Sequence, residues 1–288
     1  MVTASAGKGG VATVRISASR RSLLAAGIAL SIMLAGCTGD GWWPSTSVTA
    51  TTAAPAATPP PPPAQLCGGP TTPARSFWLS GPGGAQVYAA VVGSGPATAV
   101  FVHEFGSRGL CGFWPYADWL ARTKGVRSVL FSQCGAGASQ CPAGNATDLW
   151  LAVTTAAVAW ARAHDAGQVT LVGASAGGVV ALQVAASISP PVAAVVNLSG
   201  ERRWQGLDSL AAARRLQVPA LFAVAPGDSL VSVATMRRLY QAAPVRDKRL
   251  VVLAEGAGHG WDLLGGAAGT DWSPLAVTVA AWIQGRHG

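Results

Sequence analysis

The sequence predicts an α/β fold: a mostly parallel sheet of eight strands with helices on both faces. Three observations predict it. Short runs of β-forming residues alternate with helical stretches from about residue 76 to residue 288. The later β runs are continuously apolar, as in strands covered on both sides. No helical stretch separates the first two runs, which read as a hairpin, whereas those after it repeat as β–α–β units.

The elements follow in order. SFWLS (76–80) and AQVYAAVV (85–92) form the hairpin, and TAVFVH (98–103) opens the parallel part. GFWPYADWLARTK (112–124) reads as a helix, followed by the strand RSVLFS (127–132). A long helix is expected over 146–164, then the strand QVTLVG (168–173) and a helix over 176–187. VAAVVNLS (192–199), a helix over 207–215, PALFAVA (219–225), a helix over 232–243, KRLVVLAE (248–255) and a closing helix over 274–286 complete the pattern. The region is one domain by length, and it is rich enough in Ala, Val, Leu and Gly to fill a core.

The first 75 residues are of another kind. Lys8, Arg15, Arg20 and Arg21 precede the apolar stretch 22–36, and no acidic residue occurs before Asp40. This reads as an export signal over residues 1–36, shorter than the ~20 apolar residues of a permanent span. It ends in Leu34-Ala35-Gly36-Cys37, which is similar to the lipobox of bacterial lipoproteins. That similarity implies lipid on Cys37 and a protein held by its anchor at the outer face of the cell membrane; an ordinary cleaved signal implies a secreted one. Residues 37–75 are dominated by Thr, Ala and Pro, with Pro59–Pro63 consecutive. Such a segment is expected to be an extended stalk. Trp42 and Trp43 lie beside the proposed lipid, suited either to the membrane interface or to an exposed tail.

Charge and cysteines exclude several functions. The formal charge of +8 falls to +4 once the four basic residues of the signal are removed. No basic stripe carries interleaved aromatics, so nucleic acid is not expected as a partner. Besides Cys37 there are four cysteines: Cys67, Cys111, Cys134 and Cys141. In an exported chain an even count predicts two disulfides. No CxxC pair occurs and the histidines are not spaced with the cysteines, so neither a metal nor a cofactor is expected. The sequons at Asn145 and Asn197 would need a glycosylating host, which a lipobox argues against.

The chemistry is carried by VTLVGASAGGVVAL (169–182). Gly173-Ala174-Ser175-Ala176-Gly177 fits G-x-S-x-G, directly after a predicted strand and opening a predicted helix. A turn this tight tolerates only small neighbours and lifts the Ser175 hydroxyl clear of the sheet. The N–H of Ala176 then points at any oxyanion formed beside Ser175. Serine needs a base to act as a nucleophile. Asp228 follows the strand 219–225 and His259 follows the strand 248–255, giving the order Ser…Asp…His. Glu201, after the strand 192–199, is a reserve for the acid.

On these residues, 76–288 resembles the α/β-hydrolase superfamily, particularly its lid-poor dienelactone-hydrolase and esterase-like members. The resemblance implies Ser175 as nucleophile, His259 as general base and Asp228 as orienting acid. It implies a second oxyanion donor from VHEFGSRGLCGFW (102–114), the N–H of Glu104 or Phe105, with the Glu104 side chain turned away and His103 in a structural role. The stretch between the strands 192–199 and 219–225, where lids are usually inserted, is too short for one. An open site walled by Phe105, Trp114, Trp204 and Trp261 follows, although Trp114 suits core packing equally well. The superfamily strand order puts the loop holding Cys111 beside the one holding Cys134. It thereby implies a Cys111–Cys134 bridge and a Cys67–Cys141 bridge, with Cys134–Cys141 as the rival. The expected activity is hydrolysis of a small-molecule carboxylic ester or thioester through an acyl-enzyme. The alternatives are a catalytically inactive binding or scaffold lipoprotein, or a peptidase or perhydrolase on the same fold.

Overall fold

The computed structural model describes residues 58–69, 72–106, 108–144, 146–265 and 271–287. The expected signal segment, Cys37, Trp42, Trp43 and Asn145 lie outside the described residues. The strands are β1 (Ala74–Ser80), β2 (Gln86–Val92), β3 (Ala97–Val102), β4 (Arg127–Phe131), β5 (Gln168–Ala174), β6 (Ala194–Leu198), β7 (Arg203–Trp204), β8 (Leu207–Asp208), β9 (Ala220–Val224) and β10 (Lys248–Val252). The helices are α1 (Pro63–Cys67), α2 (Trp114–Lys124), α3 (Ala146–Ala163), α4 (Ala176–Ala185), α5 (Ser209–Ala213), α6 (Val233–Ala242) and α7 (Pro274–Ile283).

Eight strands form one sheet in the order β1-β2-β4-β3-β5-β6-β9-β10. β2 pairs antiparallel with β1 and β4, and every other pairing is parallel. The predicted eight-stranded, mostly parallel sheet is therefore present. Side-chain alternation divides the core in two, because successive residues of a strand face opposite sides. Val100, Val169, Leu171 and Phe222 pack on the face covered by α3, α4 and α6. Phe101, Val172, Ala174 and Leu221 pack on the face covered by α2 and α7. Asn197, in β6, is fully buried, with its amide bonded to Gly178 O and Gly200 N. The sequon there is closed to modification.

Two local expectations need correction. The helix expected over 207–215 starts only at Ser209. Ahead of it β7 and β8 form a two-residue hairpin, and Asp208 caps α5 by accepting from Leu210 N and Ala211 N. In addition, the segment expected to be extended is folded against the sheet over residues 58–67. Prolines lack an N–H, so the carbonyls of a proline run stay free for outside donors. Ser76 Oγ donates to Pro60 O at 2.8 Å, Tyr88 Oη to Pro61 O at 2.9 Å, and Trp78 Nε1 to Thr58 O at 2.9 Å. Pro63 then starts α1, where its fixed φ suits a first helical turn.

The disulfides are Cys67–Cys111 and Cys134–Cys141, not the Cys111–Cys134 and Cys67–Cys141 pairs the strand order implied. α1 brings Cys67 to within 5.2 Å (Cα–Cα) of Cys111, and the loop after β4 folds back on itself to bring Cys141 within 5.6 Å of Cys134. Closing loops with separations of 44 and 7 residues constrains the unfolded chain by about 4 and about 2 kcal/mol on the chain-entropy account. Peptide mapping without reduction should recover these two crosslinked pairs from the native protein. A Cys111–Cys134 crosslink would contradict this arrangement.

Candidate active site

Ser175 occupies the turn between β5 and α4 with φ 51° and ψ −123°. A non-glycine residue at positive φ in a tight turn is strained and persists only where its surroundings over-determine it. Those surroundings are backbone. Ser175 N donates to Leu198 O at 2.9 Å, and Gly178 N donates to Ser175 O at 2.8 Å. A Cβ at Gly177 would lie 2.1 Å from Val102 O and 2.4 Å from His103 O. A Cβ at Gly173 would lie 2.2 Å from Gly177 O. The small residues thus let the first turn of α4 press against β5 and the end of β3. Ala176 is the first residue of α4, so its N–H has no partner inside the helix.

Asp228 and His259, from the loops after β9 and β10, meet at 2.8 Å between Oδ2 and Nδ1. The Asp228 side chain is fully buried and that of His259 is 21% exposed. Asp228 Oδ1 accepts from Leu230 N and Val231 N at 2.9 and 3.0 Å. Burial alone would raise the Asp228 pKa, but His259 and these N–H groups bring it below the usual carboxylate value. Asp228 is thereby held as an anion with one oxygen on the imidazole. His259 Nε2 makes no hydrogen bond among the described residues, so no bond joins it to Ser175 Oγ. Catalytic hydrogen bonds commonly close only when substrate is bound. Glu201, the reserve acid, makes no bond to His259. Burial raises its pKa, with His259 opposing and Asp228 reinforcing the shift.

His103 is fully buried and uses both ring nitrogens within the fold. Its Nε2 accepts from Gln133 N at 2.7 Å, which leaves the proton on Nδ1 for Glu104 O. Burial holds its pKa down at about 4, so the ring is neutral. Because a trans peptide points its C=O and N–H in opposite directions, capture of Glu104 O turns the Phe105 N–H away from His103. The Glu104 carboxylate turns to the His259 loop, where Oε1 accepts from Trp261 N at 2.9 Å. A Cβ at Gly260, φ 56°, would fall 1.7 Å from the same oxygen. Glu104 therefore ties the loop after β3 to the loop carrying His259. Burial pushes its pKa up to about 7, with Asp262 adding to the shift and Trp261 N–H, His259 and Arg108 opposing it.

Of the four aromatic residues expected to wall the site, Phe105 and Trp204 come together at 6.2 Å between ring centroids. Trp114 is 1% exposed and belongs to the core. Trp261 packs on Gly112 and Phe113 and lines a separate cavity with Arg108 and Trp272. Trp150 joins Phe105 and Trp204 instead, though nothing in its helical sequence context marked it. Among the described residues no group of three His, Cys, Asp or Glu is placed to hold a metal ion, and no helix is long and apolar enough to cross a membrane.

No protein-family model matches the chain, and no curated protein matches it. Solved structures do match. An esterase of Pyrococcus furiosus superposes with a TM-score of 0.63 at 13% identity, over 79% of this chain and 94% of that one. A dienelactone hydrolase of Anabaena variabilis gives 0.57 at 20% identity, over 73% and 97%. A Xanthomonas campestris α/β serine hydrolase without a lid gives 0.55 at 21% identity, over 75% and 94%. At these identities the likeness shows the fold: that of the α/β hydrolases, without a lid.

The Glu104 tie has a thermodynamic signature. Its folded pKa of about 7 stands above the ordinary 4.5, so its contribution to stability is fully present below about pH 4.5 and is lost as pH rises to about 7. His103 acts in the opposite sense between about pH 4 and 6.5, equally in wild type and in a Glu104 variant. The Tm of Glu104→Gln minus that of wild type should therefore grow as pH rises from 4.5 to 7. A difference that stays flat across that range in thermal melts would contradict the buried, proton-binding carboxyl.

Proposed function

We propose that the chain is an extracytoplasmic serine hydrolase acting on carboxylic esters or thioesters through Ser175, His259 and Asp228. The observation that carries the reading is the strained Ser175 turn, combined with an Asp228–His259 pair that two other strand ends supply at 2.8 Å. The likeness to esterases and dienelactone hydrolases is consistent with it.

The reaction runs in two halves. Ser175 Oγ gives its proton to His259 Nε2 and bonds to the substrate carbonyl carbon, and the carbonyl electron pair moves to oxygen. The N–H groups of Ala176 and Phe105 hold that oxyanion. Its collapse expels an alcohol or thiol, which takes the proton from His259 and leaves an acyl group on Ser175. Water repeats the sequence and releases the acid. Asp228 keeps the imidazole in the tautomer with Nε2 free to accept and stabilises it when protonated. The neutral His103 sets the Glu104–Phe105 peptide and takes no proton from substrate.

The Leu34–Cys37 stretch after an apolar run supports export and lipid attachment at Cys37. Wild-type cells given labelled fatty acid should transfer it to the protein, and Cys37→Ser should not take it up. Unlabelled wild type would remove the anchor from this reading.

Ser175 in the full-length protein should react with a fluorophosphonate, and His259→Ala should suppress that labelling. Ser175→Ala should abolish ester hydrolysis with an unchanged melting profile, since one oxygen is removed and no core volume. Asp228→Asn should lower turnover by several orders of magnitude, up to about 10⁴-fold. Full hydrolytic activity in Ser175→Ala would overturn the assignment.

A further inference from the structure

Beside the loop that carries Glu104 and Phe105 lies a cavity of about 500 Å³. Three aromatic residues from three separate elements line it: Phe105 from the loop after β3, Trp150 from α3 and Trp204 from β7. Their ring centroids lie 4.7 Å (Trp150–Trp204), 6.2 Å (Phe105–Trp204) and 6.4 Å (Phe105–Trp150) apart. None of the three pairs is stacked. The interplanar angles of 47°, 54° and 33° leave the rings splayed. Phe105 is 69% exposed, so its ring is open to solvent at the edge of the cavity. Gly106, Gly135 and Ala136 also line the cavity and bring no bulk to it. Among the described residues no charged side chain lines it, and the Gln205 Oε1 is already engaged by Thr147 Oγ1.

The walls are built to hold their positions. Trp150 is 2% exposed, and its Nε1 donates to Cys134 O at 3.3 Å, joining α3 to the loop that the Cys134–Cys141 bridge closes. Trp204 sits on a hairpin whose two turn residues, Gln205 and Gly206, both have positive φ (43° and 86°). The single Thr147 hydroxyl hydrogen is shared between Gln205 Oε1 and the Gln205 carbonyl, at 3.2 and 3.1 Å, which ties that turn to α3.

We infer that this cavity is a subsite for a neutral aromatic ring, carried on the acyl side chain of the ester. A flat guest can lie against the small-residue wall and present its face or edge to splayed rings, arrangements that add to simple area burial. Each such ring pair is worth about two- to tenfold in affinity. A saturated group of the same size gains only the burial, and an anionic group finds no cation in the lining. The hydrolytic part of the proposal rests on the Ser175 reading; the binding of the ring does not.

The experiment separates the two. Full-length Ser175→Ala is titrated by calorimetry with methyl 3-phenylpropanoate and with methyl 3-cyclohexylpropanoate, and wild type is assayed for hydrolysis of both and of methyl butanoate. The phenyl ester should bind at least fivefold tighter than the cyclohexyl ester. Trp204→Ala should lower kcat/KM for the phenyl ester about tenfold more than it lowers that for methyl butanoate, and Trp204→Phe should restore most of the loss. Trp204 is only partly buried, so its truncation opens no core cavity. Equal affinity for the two esters, or an unchanged phenyl preference in Trp204→Ala, would overturn the subsite. Phenyl-selective binding without hydrolysis of any ester would leave the subsite standing and overturn the hydrolase reading.

Discussion

The backbone of Ser175 is the constraint on which the rest of the site depends. At φ 51° the serine sits where L-residues are disfavoured, and only a dense setting holds it there. That setting requires α4 to approach β5 and the end of β3 so closely that Gly177 has no room for a Cβ against Val102 O and His103 O. The same approach brings the start of α4 beside the loop carrying Glu104 and Phe105. One close packing contact therefore strains the Ser175 backbone and joins α4 to both β5 and the end of β3.

Around this centre the loops are cross-tied by polar groups whose protonation states burial sets. His103, neutral because it is buried, fixes one peptide of the loop after β3. Glu104, reluctant to ionise for the same reason, reaches across to the His259 loop. Asp228, buried too, stays ionised because an imidazole and two backbone N–H groups offset the loss of water. The two carboxylates differ in the number of hydrogen-bond donors each finds. A carboxylate with three donors remains charged, whereas one with a single N–H holds its proton to near neutrality.

What the sequence made legible was local and ordered along the chain. The strands were visible because apolar runs and their spacing report burial directly. Ser175 was visible because a strand-to-helix turn restricts its neighbours to small residues. Asp228 and His259 were visible because each follows a strand whose carboxyl end must face the same rim, and the structure does pair them. The remainder depended on which surfaces meet. Trp150 faces the Phe105 cavity only because of how α3 lies on the sheet. The β7–β8 hairpin hid behind a helix-like LDSL, although Gln205-Gly206 between Trp204 and Leu207 is a turn signal. Strand order places loops side by side without saying which side chains face each other, so it implied Cys111–Cys134 and Cys67–Cys141, whereas the rival Cys134–Cys141 and a Cys67–Cys111 bridge are the pairs that form. The proline run looked unable to fold because its packing rests on carbonyls bonded to Ser76, Trp78 and Tyr88, residues far downstream.

The Cys67–Cys111 bridge has a mechanical consequence. β1, β2 and β3 all lie between the two cysteines, as do Glu104 and Phe105. Tension applied to the chain ahead of Thr58 is carried through α1, across the sulfur–sulfur bond, and on into α2. Of the 43 residues between the bridged cysteines, Ser76, Trp78 and Tyr88 share the load through their bonds to Pro60, Thr58 and Pro61. Without the bridge, the same pull would peel β1 from the edge of the sheet one hydrogen bond at a time. With it, the covalent path of the load bypasses the loop that carries Glu104 and Phe105. A protein held by its N-terminal side against flow or a crowded surface could thus be strained at its attachment without deforming the half of the site that this loop supplies.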